Sequence, residues 1–367
     1  MVGKLSVSSM SEPKEAPRTM LHAGLDLSRR RLDYCLLGGD GERVASGAVA
    51  PDADALAGLV RLVELRHGPR TVCAAIESMN GARFVHDVLE RCGWDVQIAD
   101  AVKVKGLAPL ACKTDRIDAW VLAELSRRDL VPAIWLPSFG QRQERERARW
   151  RLHLVKHRSS LKARVHSSLI AFGHDCPVSD LFGRRGRGLL ERLDFPEPWR
   201  SDVLAAVALI DELERQITTI EAELKAMGAD HPYAPLLETV PGIGWVLAYT
   251  IAAEIGDITR FASPKKLCGY TGLCPRVYQS GSSDRRGALA KNGPKYLRWA
   301  LMVAATNAAK HPLYRARYQA TKQRVGRQRG PKIAQIQLAR TLAEAIWHML
   351  TTNQTFAPAS APPPLAA

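Results

Sequence analysis

Four acidic residues lie where carboxylates could bind a divalent cation. Asp26 lies within the apolar segment Gly-Leu-Asp-Leu-Ser, and Glu77 ends the apolar run Cys-Ala-Ala-Ile-Glu. Asp115 and Asp118 are three residues apart, which puts both carboxylates on one face of a helix. A buried acid is costly unless it is paired or bound to a cation, and Mg²⁺ prefers oxygen ligands. Taken together, the four acids suit metal-assisted cleavage of phosphodiesters.

Each of these acids also has a structural interpretation when it is taken singly. Such an acid could cap a turn, pair with Arg83, or stabilise the first turn of a helix through the helix dipole. Asp33 or Asp87 could replace one of the four, although neither ends an apolar strand as well. The order of the four acids along the chain fits one fold and favours the metal site.

A serine-rich turn and a long basic segment form a second chemical cluster. Ser280 begins the sequence Ser-Gly-Ser-Ser, and Arg285 and Arg286 follow closely. A serine beside arginines can attack a phosphate whose charge the arginines stabilise. From the residues alone, however, a polar Ser/Gly loop is the better interpretation of these serines.

The segment from Arg285 to Thr341 contains 14 Lys and Arg residues and no Asp or Glu. Such an uninterrupted positive stretch, interleaved with aromatic residues, suits binding to nucleic-acid phosphates. The candidate nucleic-acid contacts are Arg285, Arg286, Lys291, Lys295 and Arg298.

The overall composition also indicates a protein that binds nucleic acid. The 367 residues carry a net charge of +15, which makes a polyanion the expected partner, nucleic acid ahead of a membrane surface. We find no uncharged apolar run long enough to span a bilayer and no secretory signal, so we expect a soluble, cytoplasmic protein. The seven cysteines include no C-x-x-C pair, which argues against a disulfide framework or a zinc ribbon. The pairs Cys268/Cys274 and His153/His157 receive no metal role.

Patterning predicts an α/β domain over residues 22–132 after a flexible leader at 1–21. Two antiparallel strands joined by a Gly-Gly-Asp-Gly turn are expected first. Strands at 71–78 and Asp95–Ala99 then alternate with helices, the last of them around Asp115–Leu125.

Beyond a Pro-bounded linker, the sequence predicts a mostly helical remainder. Residues 133–235 contain two long helical runs, which fit either an antiparallel arm that mediates oligomer contacts or an ordinary helical domain. A C-terminal domain follows at 236–352, with a Val-Pro-Gly-Ile-Gly turn of helix–hairpin–helix type, a loop region at 268–294 and further helices. The Pro/Ala-rich tail at 353–367 is expected to be disordered.

The two chemical clusters together resemble the DEDD signature of a large family of bacterial insertion-sequence transposases, with which Piv-type DNA invertases group. The similarity rests on GLDLS, AAIES and KTDRIDAWVLAEL in the first domain. In the last domain it rests on PGIGWVLAYTIAAEIGDITRF, GYTGLCPRVYQSGSS and RRGALAKNGPKYLR. It extends over roughly residues 22–350 and is weaker in the helical middle.

This resemblance implies an RuvC-like, RNase H-type domain in which Asp26, Glu77, Asp115 and Asp118 bind Mg²⁺. It implies that Ser280 is the nucleophile, and that an element-encoded RNA bridges donor and target DNA. It also implies a homo-oligomer, a dimer or tetramer, in which the acids of one protomer meet the serine of another. The expected function is therefore a site-specific DNA recombinase that excises and inserts a mobile element.

Two other functions stay open at this point. A Mg²⁺-dependent junction nuclease would hydrolyse DNA with the acids alone. A nucleic-acid-binding scaffold with a degenerate RNase H fold would bind tightly and cut nothing, although the presence of all four acids argues against it.

Overall fold

The structure, a computed structural model, describes residues 20–107, 115–280 and 283–358. Its contacts separate one unit that ends at Leu136 from a second that begins at Pro137. The boundary falls in the Pro-bounded segment that the sequence predicts as a linker. Part of that segment still belongs to the first unit, because Ile134 N–H donates to the Ile98 carbonyl at 2.8 Å.

Strands and helices alternate in the first unit, as the sequence predicts, but residues 21–49 form three strands instead of two. The third strand is mostly exposed, so its apolar alternation is weak. The strands are β1 (Leu21–Leu27), β2 (Leu32–Gly38), β3 (Arg43–Val49), β4 (Val72–Glu77) and β5 (Asp95–Ala99); the helices are α1 (Ala53–His67), α2 (Ala82–Arg91), α3 (Ala101–Leu107) and α4 (Asp115–Arg127).

The five strands form one mixed sheet in the order β3-β2-β1-β4-β5. β1 and β2 pair antiparallel, as do β2 and β3, whereas β1, β4 and β5 run parallel. One face of the sheet packs on α1 and α2, and the other face carries α3 and α4. The expected α/β domain with a central sheet is confirmed.

Two long helices begin the second unit: α5 (Phe139–Ala171) and α7 (Trp199–Ala229), with the short α6 (Arg184–Arg192) between them. Basic residues of α5 pair with acids of α7 in antiparallel order. Arg158 contacts Glu214 at 2.6 Å, and Arg164 contacts Asp202 at 3.7 Å. The opposite charges of the two helical runs therefore meet across one helix pair.

The remainder of the second unit is mostly helical, as predicted, around a core rich in Ala, Leu and Ile. Two elements differ from the prediction: the region expected as a loop contains a β-hairpin, and the basic segment before the last helix is itself helical. The elements are α8 (Ala234–Glu238), α9 (Trp245–Ile255), a 3₁₀ turn (Ile258–Arg260), α10 (Pro264–Thr271), β6 (Pro275–Ser280), β7 (Ser283–Leu289), α11 (Lys295–Ala308), α12 (Pro312–Val325) and α13 (Gly330–Thr352).

Order extends into both terminal segments that the sequence predicts as flexible. Leu21 is fully buried in β1. Beyond α13, Phe356 packs against the core of the second unit, and its N–H donates to Thr239 Oγ1 at 2.9 Å. The rest of the leader (1–19) and of the tail (359–367) lies outside the described residues. Within the described ranges, no helix is long and apolar enough to cross a membrane.

Candidate active site

Two of the predicted acids end neighbouring parallel strands. Leu25 of β1 is in register with Ile76 of β4, so that Asp26 and Glu77 are the next residues on each strand. Both side chains are half-buried. Residues in register on adjacent strands point to the same face of a sheet, so both side chains leave the same face at the carboxyl ends of β1 and β4.

α4 crosses that same face in the direction opposite to β1. Near the end of the helix, Ser126 Oγ lies 3.2 Å from His22 Nδ1 and donates to the Cys73 carbonyl at 3.0 Å. Burial, with a contribution from the Arg127 charge, lowers the pKa of His22, so the imidazole is neutral near pH 7. This contact holds the C-terminal part of α4 at the start of β1.

Gly24, the next residue of β1 on this face, brings α4 directly onto the strand. A Cβ atom at Gly24 would lie 1.8 Å from the Ala119 carbonyl oxygen and 2.3 Å from the Ala123 amide nitrogen. Only glycine allows so close a backbone approach. Since the helix runs from Ser126 beside His22 to Ala119 beside Gly24, its first turn extends towards Asp26.

That first turn carries the remaining two predicted acids. α4 begins at Asp115, whose side chain lies outside the described part, and Asp118 follows half-buried in the same turn. Carboxylates in the first turn are favoured by the helix dipole. The fold thus directs Asp118 to the strand edge that holds Asp26 and Glu77.

Asp33, an alternative from the sequence, lies beside this group. It is directly opposite Asp26 in the antiparallel β1–β2 register, and 3% of its surface is exposed. Arg31 binds both of its oxygens, at 2.7 and 2.8 Å. Asp33 is therefore a buried, ion-paired carboxylate next to the candidate metal ligands.

Two other acids near the sheet have different surroundings. Asp87, the second alternative, lies on α2, which packs against the opposite face of the sheet, and it contacts the His86 ring at 2.9 Å. Asp100 follows β5 at the carboxyl edge, where its carboxylate accepts from the N–H groups of Val102 and Lys103 and caps α3. Asp87 is therefore not part of the candidate site, and Asp100 stabilises the start of α3.

The donor set at this edge suits a hard cation. Among the described side chains, no three His, Cys, Asp or Glu groups are close enough to share one ion. Mg²⁺ does not require such a cage, since it is usually held by one or two carboxylates together with water and substrate phosphates. Asp26 and Glu77, at the ends of adjacent strands, could supply the one or two carboxylates that this mode of binding needs.

The predicted nucleophile lies at the end of a β-hairpin. β6 ends at Ser280 and β7 begins at Ser283, and these two residues are in register. The side chains of Ser280 and Arg286 lie outside the described part, as do Gly281 and Ser282. Exposed Arg285 pairs with Tyr278 across the hairpin. Two residues of the serine motif, Ser280 and Ser283, therefore lie on the paired strands of a hairpin.

The three remaining predicted contacts surround the start of α11. Lys291 is exposed and has a positive φ of 55°, and the exposed Lys295 lies over the Tyr296 ring at 5.0 Å. Arg298 is half-buried, and its guanidinium donates to the Thr271 carbonyl at 3.3 Å. The two lysines are open to solvent, whereas Arg298 also holds the end of α10.

The Val-Pro-Gly-Ile-Gly turn packs against protein at its first glycine. Gly242 has a φ of 92°, and a Cβ there would lie 2.5 Å from the Ala308 nitrogen. At Gly244 a Cβ would meet nothing within 4 Å. The turn between α8 and α9 therefore packs directly against the backbone of α11.

Comparison with known proteins assigns both units to DNA transposition. Residues 23–172 match the family model described as DEDD_Tnp_IS110, a transposase domain. Residues 234–319 match the model described as the transposase IS116/IS110/IS902 family. A protein with these two domains is an enzyme that cuts and rejoins DNA.

The chain belongs to the IS110/IS116 family of insertion-sequence transposases. It is 29% identical over 238 residues to the transposase for insertion sequence element IS1328 of Yersinia enterocolitica, covering 63% of this chain and 69% of the relative. It is 25% identical over 302 residues to the IS1111A transposase of Coxiella burnetii, covering 77% and 79%. A 73-residue stretch is 42% identical to the pilin gene-inverting protein of Moraxella bovis, covering 20% and 23%. The predicted enzyme class is thus confirmed.

Proposed function

We propose that this transposase excises and inserts its element through an acidic Mg²⁺ site in the first unit and a serine nucleophile in the second. The first unit would be an RuvC-like domain of RNase H type, with Asp26, Glu77, Asp115 and Asp118 as the ligands. The proposal is supported by the register of β1 and β4, in which Leu25 pairs with Ile76 directly before Asp26 and Glu77, and by the close packing of α4 on that face of the sheet at Gly24.

Bound Mg²⁺ would supply charge stabilisation at the phosphate and help an attacking hydroxyl to ionise. The four carboxylates would hold the cation at the sheet edge and orient the scissile phosphate. Lys291, Lys295 and the arginines Arg285, Arg286 and Arg298 would contact the nucleic-acid backbone around the hairpin.

In the proposed reaction, Ser280 Oγ loses its proton and attacks the phosphorus of a DNA phosphodiester. A serine–phosphate ester forms as the bond to the leaving sugar oxygen breaks, and that oxygen takes up a proton. One ester replaces another, so the bond energy is conserved. A hydroxyl of the second DNA can reverse the step and release the serine.

The partners in this proposal are donor and target DNA, an RNA encoded by the element, and further copies of the chain. The acids of one protomer would act with the serine of another, within a dimer or tetramer. A bacterial enzyme with these partners would work in the cytoplasm, at the nucleoid.

A recombination assay in cells, with the native flanking DNA and a donor–target reporter, tests the proposal. Ser280→Ala and Asp26→Ala should each reduce recombinants to background, and the matched control Asp54→Ala, an exposed acid of α1, should not. Binding and thermal unfolding measured alongside show that each variant still folds.

The other outcomes of this assay support the competing functions. Loss in Asp26→Ala alone would indicate a nuclease that uses only the acids. Inactive wild type with tight, salt-sensitive binding would indicate the scaffold. Equal affinity for random RNA and for RNA transcribed from the element's flank would refute the guide RNA.

A further inference from the structure

The turn between β1 and β2 is a basic segment at the edge of the acidic site. It consists of Ser28, Arg29, Arg30 and Arg31, and it begins two residues after Asp26. None of the five nucleic-acid contacts predicted from the sequence lies in this turn. The sequence signal for this turn is a run of three arginines that begins three residues after Asp26.

Two sets of hydrogen bonds hold the turn in shape. Ser28 donates to the Arg31 carbonyl twice, from its N–H at 2.7 Å and from its Oγ at 2.8 Å. Arg31 then binds buried Asp33 through both carboxylate oxygens. Bidentate pairing of this kind fixes the geometry of an arginine. The backbone that presents Arg29 and Arg30 is therefore held from both ends.

Arg29 and Arg30 themselves are exposed. In the part of the chain that the structure describes, their side chains make no hydrogen bond or ion pair, although carboxylates are close along the chain. Two solvent-facing guanidinium groups thus stand at the rim of an edge crowded with acids. An anionic DNA strand that approached the acids alone would be repelled, and positive charge at the rim offsets that repulsion.

We propose that the β1–β2 turn is a phosphate clamp, in which Arg29 and Arg30 bind the backbone of the DNA strand that enters the acidic site. Asp33 is a positioning residue that anchors the clamp through Arg31. This inference rests on the proposed function, since it takes the strand at the acids to be DNA. Guanidinium groups suit this ligand because they pair with phosphate oxygens in a planar, two-pronged geometry.

Salt-dependent binding tests the clamp. The full-length protein is titrated with labelled duplex DNA, single-stranded DNA or single-stranded RNA over a range of KCl concentrations, with Ca²⁺ in place of Mg²⁺ to prevent turnover. Each neutralised phosphate contributes a slope of about 0.9 for duplex DNA and about 0.7 for single strands in a plot of log K against log salt. Arg29→Ala/Arg30→Ala should lower the slope by about 1.8 or about 1.4, respectively.

The matched control is Arg61→Ala/Arg70→Ala, which removes two exposed arginines from other parts of the first unit. It should leave the slope at the wild-type value. An unchanged slope in Arg29→Ala/Arg30→Ala, or an equal loss in the control, would overturn the clamp. A loss confined to RNA would overturn the assignment to DNA.

Failure of the clamp and failure of the proposed function give different results. If Asp26→Ala abolishes recombination while the slope of Arg29→Ala/Arg30→Ala matches wild type, only the clamp is wrong. If Asp26→Ala and Ser280→Ala recombine normally while the slope falls on DNA, the phosphate contact stands and the proposed chemistry is wrong.

Discussion

Gly24→Ala should disable the enzyme by lifting α4 away from the sheet. The new Cβ would lie 1.8 Å from the Ala119 carbonyl oxygen, whereas real Cβ contacts are essentially never below 3.0 Å. The obstruction is helix backbone, which cannot rotate away as a side chain can. The helix must therefore withdraw by at least about 1.2 Å, to restore ordinary van der Waals separation, and Asp118 moves with it.

The expected cost in stability is modest, and the cost in activity is large. Overpacking of this kind destabilises by about 1–3 kcal/mol, which a folded domain can absorb. A displacement of about 1 Å in a catalytic group costs about 100-fold in rate. We therefore expect recombination to fall about 100-fold in Gly24→Ala while thermal unfolding remains cooperative.

The control for this experiment is Gly39→Ala, in the turn between β2 and β3, where a Cβ would meet nothing within 4 Å. Recombinants are counted with the donor–target reporter, and unfolding is followed by circular dichroism. Wild-type recombination in Gly24→Ala, at wild-type stability, would refute the packing of α4 on β1. Equal losses in both variants would show that the effect is not specific to Gly24.

Three further predictions follow from charged and buried groups. Arg149→Met should lower the free energy of unfolding, measured in urea, by about 3–5 kcal/mol, because it leaves the fully buried carboxylate of Glu254 without its ion-pair partner at 2.7 Å. The double variant Arg149→Met/Glu254→Leu should recover most of this loss. A double variant as unstable as Arg149→Met would contradict this account. A hydrogen bond from Arg127 is the largest cause that lowers the pKa of Glu124 to about 2. The stabilisation that the ionised Glu124 carboxylate gives the folded protein should be complete above about pH 4.5 and disappear as the pH falls towards about 2. In Arg127→Gln, the free energy of unfolding should fall less over this pH range, as measured by acid titration. Burial raises the pKa of the Cys268 thiol to about 12, so alkylation near about pH 8 should spare it in the native protein and modify it in urea, as mapped by mass spectrometry.

Sequence patterning predicted the elements that carry the acids because their signals are local. The run before Glu77 is apolar and ends at a polar residue, so both the strand and its edge can be predicted from it. Asp95–Ala99 likewise has the bounds that the pattern predicts. The helical spacing of the segment around Asp115–Leu125 predicts the helix that carries Asp118.

The same approach missed elements whose strands face solvent. β6 and β7 are built from Pro, Ser, Gly and Arg, and the exposed residues Val277 and Tyr278 contribute little apolar alternation. The two strands are paired by backbone hydrogen bonds, which any residue type except proline can form and which amino-acid composition therefore does not predict. α12 was missed because its arginines and lysines conceal the few buried positions, Tyr314 and Thr321.

Strand register explains why the sequence identifies Asp33 as an alternative metal ligand but does not predict its position relative to Asp26. Its distance from Asp26 depends on the length of the β1–β2 turn, and a change of one residue in register would move Asp33 to the opposite face of the sheet. With the four-residue turn, Asp33 lies directly opposite Asp26 and needs a cation of its own. Arg31 supplies that charge, and the same turn holds Arg29 and Arg30 at the rim. The arrangement that neutralises a buried acid therefore also sets the position of the arginines that we assign to DNA.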